Sequence, residues 1–429
     1  MGFHAGSGTQ VERRTFLGSG LGVLAGGLLG LPGSEAGGAP ADQGSLIASI
    51  DHRILFPGRR EGVAWFHPRA CMVPSADQAE CLMTLQSVSG SDVFGPVHWT
   101  SSTDSGKTWT KPTLIPGLGR KSLGDDWESG VCDVVPEYHP ATKSVLAIGH
   151  NVYYKAGVLA QPQRQRWPVY VVRSAGGEWS APRILEWDDP RGNEIYSCGC
   201  SQRLMKSDGD VLVPLTYGTK GRADRSVTAV LCSFDGQALK IRKVGNELVN
   251  RARRGLLEPS LGFLDGRYYL TIRAEDGRGY VSTSEDGLHW EPQRPWSWEE
   301  SGEPLEMSTT QQHWLTHSDD LFLVYNRKTE ENSKVMRWRA PLFVAKVDRK
   351  SLRLIRSTEK VVLPLIPSED NDPKKVALMG NFHPVAVSPG ESWVTVSENL
   401  PSNNFRGDTL LARIHWSRPN RIAMATESS

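Results

Sequence analysis

A turn signature that recurs along the chain constrains its fold more than any other feature. The fullest copy is "SSTDSGKTW", residues 101–109, which continues the alternating run "VHWTSS". Asp104 can cap nearby backbone N–H groups, Gly106 tolerates positive φ, and Trp109 stands just past the turn. These offsets predict a hairpin whose tip is pinned by a Trp. A second copy, "TSEDGLHW", puts Thr283, Glu285, Gly287 and Trp290 in the places of Ser102, Asp104, Gly106 and Trp109. Reduced copies follow: "RSAGGEWSAP" around Trp179 lacks the Asp, "CSFDGQAL" around Asp235 lacks the Trp, and "AKVDRKSLRL" around Asp348 is fainter still. The tips lie about 55 to 70 residues apart, near the length of one four-stranded propeller blade. Between them run strand-like segments such as "RYYLTIRAE", "LFLVYNR", "PLFVAKV" and "SWVTVSEN". The period divides into the mature length about six times. The expected fold is therefore all-β, a six-bladed β-propeller. A lone blade cannot bury both faces, so the blades must stack around an axis.

Composition agrees with that reading. The chain of 429 residues holds 14 Trp, 43 Gly and 27 Pro, which favours many short strands and frequent turns over long helices. Its formal net charge of +1 speaks against a nucleic-acid binder, so a functional positive field must be local. The N-terminus reads as an address. Arg13-Arg14 precedes Thr15-Phe16-Leu17, a Gly-rich apolar run and the small residues Ala39-Pro40-Ala41. Paired arginines before a weakly apolar core predict a twin-arginine export signal over residues 1–41 and a single mature domain over 42–429. The site of action is then periplasmic or extracellular. The apolar run is short and broken by glycines, which disfavours a membrane anchor, and no later segment is apolar enough to span. Of Cys71, Cys81, Cys132, Cys198, Cys200 and Cys232, most read as buried small residues. No His shows zinc-ligand spacing and no phosphate-binding Gly loop appears, so neither a metal nor a cofactor is expected, and the protein is expected to be a monomer.

The S-x-D-x-G-x-x-W tip on a six-bladed propeller resembles the Asp-box (BNR repeat) of the sialidase superfamily. Three further stretches resemble its active site. Arg69 in "WFHPRACMVP" stands where the family carries an Arg-Ile-Pro arginine on the first inner strand, although the motif here reads His-Pro-Arg-Ala. Glu258, Asp265-Gly266, Arg273 and the tip at Trp290 follow the family's order of Glu, turn, Arg and Asp-box. Arg339 in "VMRWRAPLFVAKVD" matches the third arginine, with Arg337 as the alternative. The resemblance implies that Arg69, Arg273 and Arg339 grip the carboxylate of an acidic sugar, for which the planar guanidinium fork is suited. It implies Asp92, in "SVSGSDVFGPVHW", as the acid, with Asp125 and Asp126 as alternatives. It gives Glu258 the task of orienting or activating the nucleophile. The family's Tyr nucleophile on the last blade has no counterpart in "ALMGNFHPVAVSPGESW". Phe382 and His383 stand nearest, His383 being the candidate base, and Tyr325 or Tyr269 could reach in from neighbouring strands.

Several polar runs at strand ends also qualify as pocket lining. The densest is "STTQQHWL", with Gln311, Gln312 and His313. "GHNVYYK", "CGCSQR" and "NNFRGD" have the same character, and amide, aromatic and His groups are what a sugar site requires. The leading expectation is an exported exo-glycosidase of sialidase type, removing a terminal carboxylated sugar from an acidic oligosaccharide or polysaccharide. One alternative is a polysaccharide lyase acting at a uronic acid, in which His67, His313 or His383 together with a Tyr moves protons. The other is a non-catalytic propeller that binds an acidic glycan without turnover.

Overall fold

The strands pair into six antiparallel sheets, each built on four principal strands. The computed structural model describes residues 44–425, apart from 76–77, 193, 198–199 and 369, and describes only the backbone of 194–197, 424 and 425. The segment expected to direct export and Cys198 lie outside the described residues. Blade one comprises Trp65–Val73, Glu80–Val88, Phe94–Ser102 and Thr113–Leu114. Blade two comprises Trp127–His139, Ser144–Lys155, Pro168–Arg173 and Arg183–Ile184. Blade three is Glu194–Ser197, Val211–Gly218, Ser226–Phe234 and Leu239–Val244. Blade four is Leu256–Leu264, Arg267–Ala274, Gly279–Ser284 and Arg294–Pro295. Blade five is His313–Thr316, Leu321–Tyr325, Leu342–Asp348 and Arg353–Leu354. Blade six takes Leu378–Ser388, Glu391–Asn399 and Thr409–Trp416, and completes itself with Ile47–Phe56 from the other end of the chain. This last pairing closes the ring. First strands touch between blades six and one, one and two, four and five, and five and six.

The core is a set of layers between neighbouring blades. Leu146, Ile148, Leu215 and Val230 fill the space between blades two and three. Tyr269, Trp296, Trp314 and Tyr325 fill that between four and five. Leu315, Val344, Phe382 and Val394 do so between five and six. Second strands read as continuous apolar runs, for example the fully buried Val211–Gly218, because both faces are covered by blades. The five described cysteines are buried as small core residues.

All five turn signatures fall between the third and fourth strands of blades one to five. In blade one Ser102 Oγ donates to Asp104 Oδ1 at 2.8 Å and accepts the Gly106 N–H at 2.8 Å. Asp104 Oδ1 in turn accepts the Thr108 N–H at 2.9 Å. Blade four corrects the expected register. There Ser284 and Asp286 play these parts, not Thr283 and Glu285. The second signature is one residue shorter between Asp and Trp. Trp290 is only 4% exposed, whereas Trp109 remains half-buried against Trp393.

Candidate active site

The first strands break their pairing register at one level. The breaks lie between Phe66 and Arg69, Cys132 and Val135, Ile195 and Ser197, Leu257 and Ser260, and Leu378 and Asn381. At three of these bulges a non-Gly residue adopts positive φ: His67 (51°), Asp133 (55°) and Glu258 (47°). Such backbone is costly for side-chain-bearing residues and is tolerated where surroundings over-determine it. Those surroundings are hydroxyls on the second strands. Thr84 donates to the Val134 carbonyl, Thr395 to the Pro68 carbonyl at 2.6 Å, and Thr216 Oγ1 accepts the Glu258 N–H at 2.9 Å. Each Thr sits one blade before the bulge it supports, so the ring satisfies its own interrupted ladders.

A cavity of about 260 Å³ opens between these bulges. His67, Asp133, Glu258 and Asn381 reach it from first strands, and Asp92 reaches it from the loop between the second and third strands of blade one. Arg273 enters from the second strand of blade four, and Arg337 and Arg339 from the loop before the third strand of blade five. Asn332 anchors that loop by donating to the carbonyls of Arg327 and Ala340 at 2.8 and 2.9 Å. The stem of Arg339 lies so close over Gly380 that a Cβ there would stand 2.8 Å from Arg339 Cδ.

Electrostatically the cavity divides in two. Glu258 accepts Arg273 Nη1 with both carboxylate oxygens at 2.7 Å, and Glu275 accepts Arg273 Nη2 at 3.2 Å and also holds Arg254. Arg339 has no such partner among the described residues, and its Nε is sealed from solvent without an acceptor. Burial first, then the like charges of Arg337 and Arg273, pull its pKa down to about 9. On the other side, Gln86 donates its amide to the carbonyls of Gly95 and Val131, so its oxygen faces His67. His67 Nδ1, 3.2 Å from that oxygen, must then be the donor, which leaves the Nε2 lone pair available. Burial lowers the pKa of His67, with Asp133 opposing it, so the ring is a neutral base.

Several expected site residues lie elsewhere. Arg69 is completely buried beneath the cavity. It binds Asp133 at 2.7 Å, Gln311 at 2.8 Å and the Phe382 carbonyl, and so ties blades one, two and six to the loop entering blade five. Its fork is spent on the protein. Burial pushes the Asp133 carboxyl up, but Arg69, followed by His67 and His150, outweighs it and holds the pKa at about 2. His313 is also buried, bonded to Ser260 Oγ at 2.8 Å, and Gln312 accepts from Thr271 at 2.8 Å inside the blade interface. His383 packs 5.7 Å from His313 and does not line the cavity, because the bulge at Met379-Gly380 gives that place to Asn381. Tyr325 donates to Glu359 and Tyr269 packs against Trp314, so neither reaches the cavity. Phe382 is fully buried. Asp125 and Asp126 form an exposed turn and do not line the cavity. Gln311, from the polar run expected to line the pocket, does line it, whereas sequence reasoning missed Asp133 and Arg254. Among the described residues, no group of three His, Cys, Asp or Glu could hold a metal ion.

No protein-family model matches the chain, and no curated protein matches it in sequence. Solved structures do match in fold. A Dyadobacter fermentans protein of unknown function superposes with a TM-score of 0.59 at 12% identity, covering 86% of this chain and 99% of that one. The sialidase of Trypanosoma rangeli gives 0.57 at 15% identity, covering 85% of this chain and 59% of its own. The NanB sialidase of Streptococcus pneumoniae gives 0.58 at 10%, covering 85% of this chain and 70% of its own. The chain thus spans about three fifths of the Trypanosoma enzyme. At these identities the likeness establishes architecture, and the fold is a sialidase-like six-bladed β-propeller.

Proposed function

We propose that this propeller is a carbohydrate-active enzyme of sialidase type that cleaves the glycosidic bond of a terminal carboxylated sugar. The observation that carries the reading is Arg339: a guanidinium whose buried Nε has no acceptor, crowded by Arg337 and Arg273. A carboxylate is the group that satisfies such donors, and it relieves the repulsion among them. Arg337 and Arg339 provide the grip, and Arg273, steadied by Glu258 and Glu275, borders it. Asp92, exposed at the cavity and making no hydrogen bond to the protein among the described residues, protonates the departing oxygen. Glu258 orients the attacking group. Export through the twin-arginine signal would place this activity outside the cytoplasm.

A specific observation favours a second reading, elimination at a uronic acid. No tyrosine side chain lines the cavity among the described residues, whereas His67 offers a neutral, tautomer-fixed Nε2. In that reaction the arginines neutralise the carboxylate and His67 takes the proton on the adjacent carbon. The electron pair expels the oxygen at the β-position, and Asp92 returns a proton to it. Product analysis after incubation with sialosides and with polyuronates tests both. A saturated free sugar acid supports hydrolysis, and an ultraviolet-absorbing unsaturated uronate supports elimination. Binding with no product at long incubation contradicts both and leaves a lectin.

A further inference from the structure

The central cavity is not an isolated pit. A groove of about 760 Å³ adjoins it and shares Gln161, Arg166 and Arg254 with it. The groove is walled by three loops: residues 161–166 of blade two, 220–225 of blade three, and the segment around Arg254 that enters blade four. Arg164, Arg166, Lys220, Arg222, Arg225 and Arg254 line it, and no Asp or Glu does among the described residues. In a chain of net charge +1 this is a strong local concentration. Among the described residues two carboxylates neighbour it, and each is shared between two arginines. Asp224 serves Arg222 and Arg251, and Glu275 serves Arg254 and Arg273.

The loops are held in place. Gln163 accepts the Tyr153 N–H at 2.9 Å and donates to the carbonyls of Tyr153 and Ala160 at 2.8 and 2.7 Å. Arg164 lies over the Trp127 ring, 3.9 Å from its centre. The second and third loops are joined by Arg225 N–H to the Arg254 carbonyl at 2.9 Å and Leu256 N–H to the Arg225 carbonyl at 3.0 Å. A Cβ on Gly255 would strike the Arg225 carbonyl, so only glycine permits this junction. The cationic side chains therefore start from fixed backbone, and binding need order only the side chains themselves.

We infer that the groove binds the body of an anionic polysaccharide, so that the preferred substrate is an extended chain carrying acid groups on successive residues, with its terminal residue in the central cavity. The identity of that terminal residue rests on the function proposed above; the length-dependent binding does not. A nucleic acid is a poorer fit, because no aromatic ring lines the groove for base stacking.

The test is calorimetric binding of galacturonate oligomers of increasing length, heparin oligosaccharides, neutral dextran and single-stranded DNA to the whole protein. Affinity for the anionic glycans should rise with length and fall by about tenfold or more between about 50 and 200 mM salt, as multi-site ion pairing requires. Dextran should not bind. Changing Arg164, Lys220 and Arg222 together to Gln should abolish the gain with length, while galacturonic acid itself binds as to the unmodified protein. That last measurement also shows that the variant is folded. The galacturonate and heparin arms distinguish carboxylate from sulfate chains. The inference is overturned if long chains bind no tighter than the monomer, if the triple variant keeps the length dependence, or if DNA of equal charge binds as well as the glycans. If length-dependent binding is seen without cleavage, the groove stands and the catalytic reading falls; cleavage of a short acidic sugar without length dependence has the opposite meaning.

Discussion

At the rim of blade one, Asp104 accepts the Thr108 N–H and the hydroxyls of Ser102 and Thr108, and these bonds hold its carboxyl well below the usual range. At the centre, Arg339 keeps a buried donor with no acceptor. At the rim the charged group meets its donors within its own turn, and only the indole N–H of Trp109 lacks an acceptor there; at the centre it is the charged group itself, the Arg339 guanidinium, that lacks one. A closed polar network rigidifies a fold, whereas unmatched buried donors cost stability unless something else meets them. That asymmetry separates the part of the repeat that makes blades from the part proposed to recognise a ligand. Between them lies a third layer, the Arg69–Asp133–Gln311 network, which is buried like the cavity wall but satisfied like the rim.

The largest effect should come from that intermediate layer. Arg69→Met leaves the Asp133 carboxylate buried without its partner and should cost about 3–5 kcal/mol in denaturant unfolding. A variant as stable as the parent would mean that Arg69 is not structural, and would return it to the ligand. At the rim, Trp290→Ala removes a nearly inaccessible ring and should cost about 3–5 kcal/mol. The half-buried Trp109 should cost only about 1–2 kcal/mol on the same change. Neither should alter affinity for an acidic sugar in the folded fraction. A selective loss of binding in either variant would place the tip at the ligand.

Acid sharpens the contrast, because the central histidines open an upper window that the Asp104 turn lacks. Burial lowers the pKa of His67, carries His313 and His383 well below the usual imidazole value, and brings His150 down to about 3. A pKa depressed in the folded state means stability that is complete above the unfolded value of about 6.5 and lost as pH falls below it. The same sign holds for Asp104, but its unfolded value is near 4, so its contribution fades only below that. Melting temperature should therefore begin to fall below about pH 6.5. His150→Gln should flatten the slope between about pH 6.5 and 3, and Asp104→Asn should change it only below about pH 4. Equal effects of the two variants in the upper window would refute the division.

The blades were legible because turn chemistry is local. Asp, Gly and Trp at fixed offsets announce a tip wherever it lies, and all five tips occupy one place in the blade. The one error in register, Glu285 for Asp286, arose because the turn tolerates a residue fewer before the Trp. The cavity was only partly legible. Glu258, Arg273, Arg339, Asp92 and His67 do line it, while Arg69, Gln312, His313 and His383 do not. The reason is the bulges. A strand shows alternate residues to alternate faces, and each unpaired insertion resets that alternation. Pro is a partial signal, since it cannot donate to a ladder: His67-Pro68 and Glu258-Pro259 both mark bulges. His383-Pro384 carries the same dipeptide without one, its strand having slipped at Met379-Gly380 instead. The threonines that fix these bulges recur as "MTL", "PLTYG" and "WVTVS" on second strands, a repeat visible in the sequence. Their partners lie on another blade, so nothing local shows what they bond.

The central claim is that the unmatched guanidiniums receive a carboxylate, and one titration tests it most directly. Calorimetry with a carboxylated monosaccharide and its amide analogue should show that the intact protein strongly prefers the acid. In Arg339→Lys the charge remains but the fork is lost, and affinity for the acid should fall by about 1.5–3 kcal/mol while the amide binds no worse than before. Equal affinity of the parent for acid and amide, or unchanged affinity of Arg339→Lys for the acid, would contradict the account.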